Sequence, residues 1–233
     1  VVSSGEPSIG IILNYSDKPE HGLSNTSIRV NQESKTSGNF VSFIGAGNYA
    51  TRTLAPAFAA AGANLDTIVS RHGISGTHLA KKIGFQRSSS TIDDCFQNSA
   101  AETVVVATRH DSHAELVIRA LKSGKHVFVE KPLAMTMEDL DAIEEARAAI
   151  SGDVPRVMVG FNRRFAPLMI KMKELLNRTT SPKSIIITVN AGLIPADHWT
   201  QNPSVGGGRI IGEACHFIDL SRFLTGSPIT SAQ

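Results

Sequence analysis

Phe40-Val-Ser-Phe-Ile-Gly-Ala-Gly-Asn-Tyr-Ala50 is the stretch on which the fold turns. Phe40 to Ile44 is a short apolar run that reads as a buried parallel strand. It breaks into Gly45-Ala46-Gly47-Asn48-Tyr49-Ala50, and a helical pattern then runs through Ala61 and stops at Gly62. Strand, glycine turn and helix form the context that a dinucleotide-binding fingerprint needs. Gly45 would permit the tight turn, Gly47 would let the backbone approach a pyrophosphate, and Ala50 would let the helix pack close to the strand. The free N–H groups from Gly45 to Tyr49, Asn48 among them, would face the phosphates. A plain turn is the competing reading.

Downstream, strands and helices alternate. Leu54 and Phe58 share one face of the first helix, and Pro56 within it should kink it or confine it to a wide first turn. Leu65 to Val69 is the second strand. His78 to Ile83 is helical and closed by Gly84, and Thr91 to Asp94 is a capping-box pattern opening a short helix. Thr103 to Ala107 is an almost pure Val run, buried on both faces. A helix from His113 to Ser123 ends at Gly124. The strand His126 to Val129 follows, then Thr136-Met-Glu-Asp139 caps a long helix reaching Ile150. Arg156 to Val159 is the last strand. Such alternation implies a doubly wound parallel sheet with helices on both faces.

Working outward, Ile9 to Tyr15 can form one strand, and residues 16–39 read as a polar linker. After Gly160 the pattern changes. Leu168 to Leu176 is helical, 184–190 alternates like a strand with one exposed face, and Gly206-Gly-Gly-Arg209 leads into a helix from Ile211 to Phe223. The fold class is therefore α/β. A Rossmann-type domain over 40–160 is followed by the beginning of an α+β second domain over 161–233, truncated because a single strand with so few helices cannot bury a core.

Composition is that of a soluble globular protein, 41% hydrophobic and 19% charged over 233 residues. The net charge of +2 points to neither a nucleic-acid nor a membrane partner, and no apolar run approaches the ~18 residues of a membrane span. Cys95 and Cys215 fit no disulfide framework or metal-ligand spacing, so no metal is expected and a reducing cytoplasm is the expected compartment.

The chemistry-bearing residues fall at the carboxyl ends of strands, where an open parallel sheet places its ligand crevice. Lys131 of Glu130-Lys131-Pro132 could hydrogen-bond a substrate hydroxyl and take or give its proton. Pro132 could carry a cis bond that aims it. A solvated Glu-Lys pair is the alternative. Glu213, His216 and Leu220 share a helix face, so a carboxylate could orient an imidazole; a merely capped helix-face His is the alternative. Thr108, His110 and His113 follow the Val strand, and His113 could instead cap the next helix. Arg163 and Arg164 could pair substrate oxygens, or form a solvated basic turn. At the end of the second strand, Asp66 lies too early to meet a ribose. Ser70 and Arg71 could hold a 2′-phosphate, which favours NADP over NAD; alternatively Arg71 only lines the adenine face.

GAGNYA, Ser70-Arg71, ATRHDSHAEL, VFVEKPLA, GFNRRFAP and GGGRIIGEACHFIDL in this order resemble the Gfo/Idh/MocA oxidoreductases over residues 40 to 233. The resemblance implies a Rossmann domain joined to a second domain with a large, mostly antiparallel sheet. It implies NAD(H) or NADP(H) as cofactor and oxidation or reduction of a sugar or cyclitol hydroxyl. Lys131 and His216 would be catalytic, with Glu213 as the candidate acid. Gly45, Gly47, Asn48, Tyr49, Ser70, Arg71, Thr108, His113, Glu130 and Lys131 would meet the cofactor, and Arg163, Arg164, His198 and Trp199 the substrate. The family usually carries an Asp four residues before the His. Here that position is Gly212, with Glu213 one residue later, and one residue turns a helical side chain by ~100°. Either Glu213 reaches the site from a changed helix start, or the acid role is lost, with Asp197 and His198 as alternative suppliers.

GEACHFIDL, the polar linker and IGIILNY resemble a narrower group in which a zinc-binding, medium-chain alcohol-dehydrogenase-like unit precedes this one. Any zinc would belong to that upstream unit, and a homo-oligomer stays open. A non-catalytic dinucleotide sensor, and a non-redox enzyme that cycles its cofactor internally, are the alternative functions.

Overall fold

A computed structural model describes residues 26–31, 38–71, 73–97 and 100–232. The expected tail strand Ile9–Tyr15 lies outside these. The sheet has seven strands: β1 (Ser27–Arg29), β2 (Phe40–Ile44), β3 (Asn64–Val69), β4 (Arg87–Ser89), β5 (Ala101–Val106), β6 (His126–Val129) and β7 (Val157–Val159). Their order is β1-β4-β3-β2-β5-β6-β7, all parallel except β1. The chain leaves β2 in one direction through β3 and β4, and in the other from β5 to β7. That reversal beside β2 is the switch point of a doubly wound sheet, and ligands gather at the carboxyl ends there.

The sheet is buried on both faces, as its composition requires. Val104 and Val106 join Ile44, Val69, Val117 and Leu121 in one core, while Val105 joins Phe43, Ile68, Leu79 and Phe85 in the other. Each fully buried valine contributes about 1.5–3 kcal/mol. Phe43 meets Phe58 and Phe85 edge-on at 5.4 and 5.3 Å. Asp66, in mid-β3, is buried and paired with Arg87 at 2.8 Å, which settles it as a structural carboxylate.

Gly45 closes the β2 turn. Its φ is +109°, and a Cβ there would fall 2.4 Å from the Ala107 carbonyl oxygen, so only glycine fits. The next helix opens with a wide π-turn, Ala50–Leu54, before α1 (Ala55–Ala60), as Pro56 led one to expect. The helices α2 (Ile74–Ile83), α3 (Asp93–Gln97), α4 (His113–Lys122) and α5 (Met137–Ala148) follow the expected order. At the start of α5 the Asp139 amide donates to Thr136 Oγ1 at 3.1 Å, and the Thr136 amide donates back to the Asp139 carboxylate at 3.3 Å. Thr136→Ala removes the first and leaves the second, whose donor is backbone, so a loss of about 1 kcal/mol is expected, read as a lower urea midpoint at unchanged slope.

Two expectations are corrected. Part of the expected linker is strand: β1 pairs antiparallel with β4, and Asn31 Nδ2 donates to the carbonyls of Ala80 and Phe85 at 3.0 and 2.6 Å. Ser-Ile-Arg shows no alternation because its contribution is backbone pairing at a sheet edge. Residues 184–190, expected as a strand, are not one. Among the described residues no strand pairs with them, and Ile186 is 90% exposed. Alternation alone cannot hold a strand without a partner. The described residues after β7 form instead α6 (Pro167–Leu176), which packs on α7 (Cys215–Thr225), with short turns and extended chain between. No helix among the described residues is long and apolar enough to cross a membrane.

Candidate active site

Strand β6 ends in Glu130-Lys131-Pro132, with the Lys131–Pro132 bond cis as expected. His113, in the first turn of α4, is fully buried between two loops. Its Nδ1 lies 2.7 Å from the Pro132 carbonyl and its Nε2 3.3 Å from that of Thr108. Carbonyls only accept, so the short contact needs the Nδ1–H tautomer. Burial lowers the ring's pKa and keeps it neutral. His113 therefore ties the start of α4 to the β6 loop through Nδ1–H, and its bare Nε2 packs beside the Thr108 carbonyl without a hydrogen bond, where cofactor contact had been expected. Thr108 keeps an accessible side chain, bonded to Ser112 Oγ at 2.7 Å.

Lys131 Nζ donates to the Gly212 carbonyl at 2.6 Å and lies 3.5 Å from Glu213 Oε2. The other Glu213 oxygen accepts from Arg163 at 2.9 Å. Glu213 lies within the π-turn, Ile210–Ala214, that opens the helix, and its carboxylate reaches Lys131 and Arg163 from there. Burial alone would raise the Glu213 carboxyl; Lys131, His216 and Arg163 outweigh it and hold the pKa below the ordinary value.

Gly212 cannot carry the acid. It is buried, and a Cβ there would lie 2.8 Å from the Gly206 carbonyl oxygen and 3.1 Å from His110 Cε1. His110 is itself fixed by a 2.8 Å contact from Nδ1 to that same Gly206 oxygen, and its ring meets Trp199 edge-on at 4.9 Å. Burial lowers its pKa too. His216, 6% exposed, has a buried Nδ1 with no partner and stands edge-on to Phe161. Burial, then the charges of Lys131 and Arg163, push its pKa down to about 4, so the ring is neutral at pH 7. Burial pushes the Glu130 carboxyl up to about 7 against the pull of Lys131, and its Oε1 is buried without a partner.

A cavity of about 140 Å³ lies where these groups converge, lined by His110, Lys131, Trp199, Arg209, Gly212 and Glu213 among others. His216 is not in its lining. Arg164 is committed elsewhere, its guanidinium pairing both oxygens of the buried Asp219. His198 caps the short turn Trp199–Gln201, bonding Thr200 Oγ1 at 2.8 Å, and Asp197 is exposed outside the lining. Arg209, and Arg109 over the Trp199 ring at 5.7 Å, were not singled out by sequence. Only the glycine run before Arg209 hinted at its placement.

On the cofactor side, Gly47 has nothing within 4 Å of where a Cβ would stand, which leaves the room a phosphate needs. Tyr49, partly exposed, accepts at its hydroxyl from Asn162 at 2.9 Å and ties the glycine turn to the β7 loop. Ser70 is buried, and its Oγ accepts the Gly76 amide at 3.0 Å. Of the two side chains expected at a 2′-phosphate, only Arg71 is exposed.

The sequence profile of an oxidoreductase family with an NAD-binding Rossmann fold, GFO_IDH_MocA, matches residues 40–161, a little over half of the chain. The myo-inositol 2-dehydrogenase of Thermotoga maritima is 30% identical over 152 residues, 65% of this chain and 44% of that enzyme. The levoglucosan dehydrogenase of Pseudarthrobacter phenanthrenivorans is 30% identical over 158 residues, 63% of this chain and 39% of that enzyme. A solved levoglucosan dehydrogenase in complex with NADH and levoglucosan superimposes with a TM-score of 0.65 at 26% identity, covering 81% of this chain and 54% of that one. The matched stretch thus spans less than half the length of these two curated relatives.

Proposed function

This chain belongs to the Gfo/Idh/MocA oxidoreductase family, and from that premise we propose that it serves an NAD(H)-dependent dehydrogenase or reductase acting on a hydroxyl or ketone carbon of a sugar-like or cyclitol-like substrate. The names of its inositol and levoglucosan dehydrogenase relatives support that substrate class. The observation that carries the reading is Lys131 Nζ, held at a cavity beside the sheet's switch point by the Gly212 carbonyl and Glu213.

The bound nicotinamide would supply or accept the hydride. The chain positions and polarises. An ammonium has three N–H donors. Gly212 takes one and Glu213 faces another, which leaves one for a substrate hydroxyl in the cavity. In reduction the Lys131 ammonium would give a proton to the substrate oxygen as the hydride arrives, in oxidation the amine form would take the hydroxyl's proton as the hydride leaves, and Glu213, shared with Arg163, would hold the Nζ in place. His216, neutral and buried behind the lining with an unpartnered Nδ1, would act as a relay only if substrate binding opened a path to it. Gly45 to Tyr49 would hold the pyrophosphate. Residues from 161 onward would begin the substrate domain.

Ser70 is buried, so a 2′-phosphate would meet the exposed Arg71 alone, and NAD(H) is the cofactor we assign. Nicotinamide fluorescence titration tests this. NADH should bind more tightly than NADPH, and Arg71→Ala should change NADH affinity by less than about threefold. Tighter NADPH binding that Arg71→Ala abolishes would reverse the assignment. Binding of neither would remove the oxidoreductase reading.

A further inference from the structure

We propose, building on the sugar-oxidoreductase reading, that the substrate is an anionic sugar whose carboxylate or phosphate is received by Arg209. The cavity lining contains two cations, Lys131 and Arg209, and one carboxylate, Glu213. That carboxylate is already divided between Lys131 at 3.5 Å and Arg163 at 2.9 Å. The adjoining buried acid, Asp219, is taken up by Arg164. Arg209 has no ion-pair partner among the described residues, and neither does Arg109, whose guanidinium lies over the Trp199 ring. His110, the lining's other titratable group, is desolvated and neutral. Asp111 and Asp197 are exposed and outside the lining.

Arg209 is exposed at the cavity mouth, so water screens its charge while the cavity is empty; a sugar seated there would cover it, and a neutral one would leave the guanidinium without a partner. A sugar with a negative group would meet it. The division of labour is then plain. Lys131 and Glu213 face the reacting hydroxyl, the Trp199 ring edge offers apolar contact to a sugar ring, and Arg209 reads the charge. At about 140 Å³ the space is well below the ~300–1,000 Å³ of pockets for drug-sized ligands, which suits one small ring.

Calorimetry on the purified protein, with and without NADH, compares D-glucuronate, D-glucose 6-phosphate and D-glucose at low salt. The expected result is that one of the anionic sugars binds about tenfold or more tightly than glucose. That preference should shrink toward unity in Arg209→Gln and at near-molar salt. Whichever anion is preferred identifies the group as carboxylate or phosphate. Equal affinities, or no binding of either anion, would overturn the inference. So would a preference untouched in Arg209→Gln while NADH affinity falls, because Arg209 would then serve the cofactor. NADH-linked turnover separates the two levels. Turnover of neutral sugars without charge preference keeps the oxidoreductase reading and removes this one. Charge-selective binding without hydride transfer does the reverse.

Discussion

Lys131→Met is expected to lower kcat by roughly 10²- to 10⁴-fold while NADH still binds, because it removes the proton-transferring group and leaves the glycine turn intact. The variant keeps the aliphatic stem that fills the space between the β6 loop and the α7 start, so stability should fall little. Lys131→Arg should not rescue. A guanidinium stays protonated and its fork does not match the single Gly212 carbonyl that holds Nζ at 2.6 Å. The pH profile adds a second check. His216 is held down to about 4, so it is neutral from pH 5 upward and should add no limb near the ordinary imidazole value. Glu130, held up to about 7 by burial, should add one, with the acid form present below it. Glu130→Gln should erase that limb, whereas His216→Asn should lower the rate without moving it. Retention of wild-type kcat in Lys131→Met would remove the lysine from the chemistry.

The parts of this molecule that could be read from sequence are those determined locally. The β2 strand, its glycine turn and the Val run of β5 are short-range patterns with one physical solution, and the Glu130-Lys131-Pro132 position follows once β6 is placed. What could not be read depends on a tertiary partner. Ser70 looked free to bind phosphate until the fold buried it. Arg164 looked like a substrate ligand until α7 supplied Asp219. His113 seemed available to a cofactor, but both ring nitrogens face carbonyls of two loops. Residues 184–190 had the right alternation and no strand beside them. The sensor alternative leaned on the absence of an acid at position 212, and the contact of Glu213 with Lys131 weakens that argument.

Restoring the acid at its usual family position should therefore damage the protein. Gly212→Asp is expected to cost about 3 kcal/mol or more and to leave no measurable turnover. Its Cβ would be driven to 2.8 Å from the Gly206 carbonyl oxygen and 3.1 Å from the His110 ring, and neither neighbour is a flexible side-chain end. Overpacking of that kind costs roughly 1–3 kcal/mol, and burying a carboxylate against a carbonyl oxygen adds to it. The damage should spread to the site, because the Gly212 carbonyl anchors Lys131 and Gly206 anchors His110. Gly212→Ala separates the two contributions: it carries the steric cost without the charge and should fall between wild type and Gly212→Asp in urea midpoint. Glu213→Gln, at an unobstructed position, should keep most of the stability and lose activity through weakened hold on Lys131 and Arg163. If Gly212→Asp were as stable as wild type and more active, the π-turn would have relaxed to an α-turn, and Glu213 would be a bystander to the reaction.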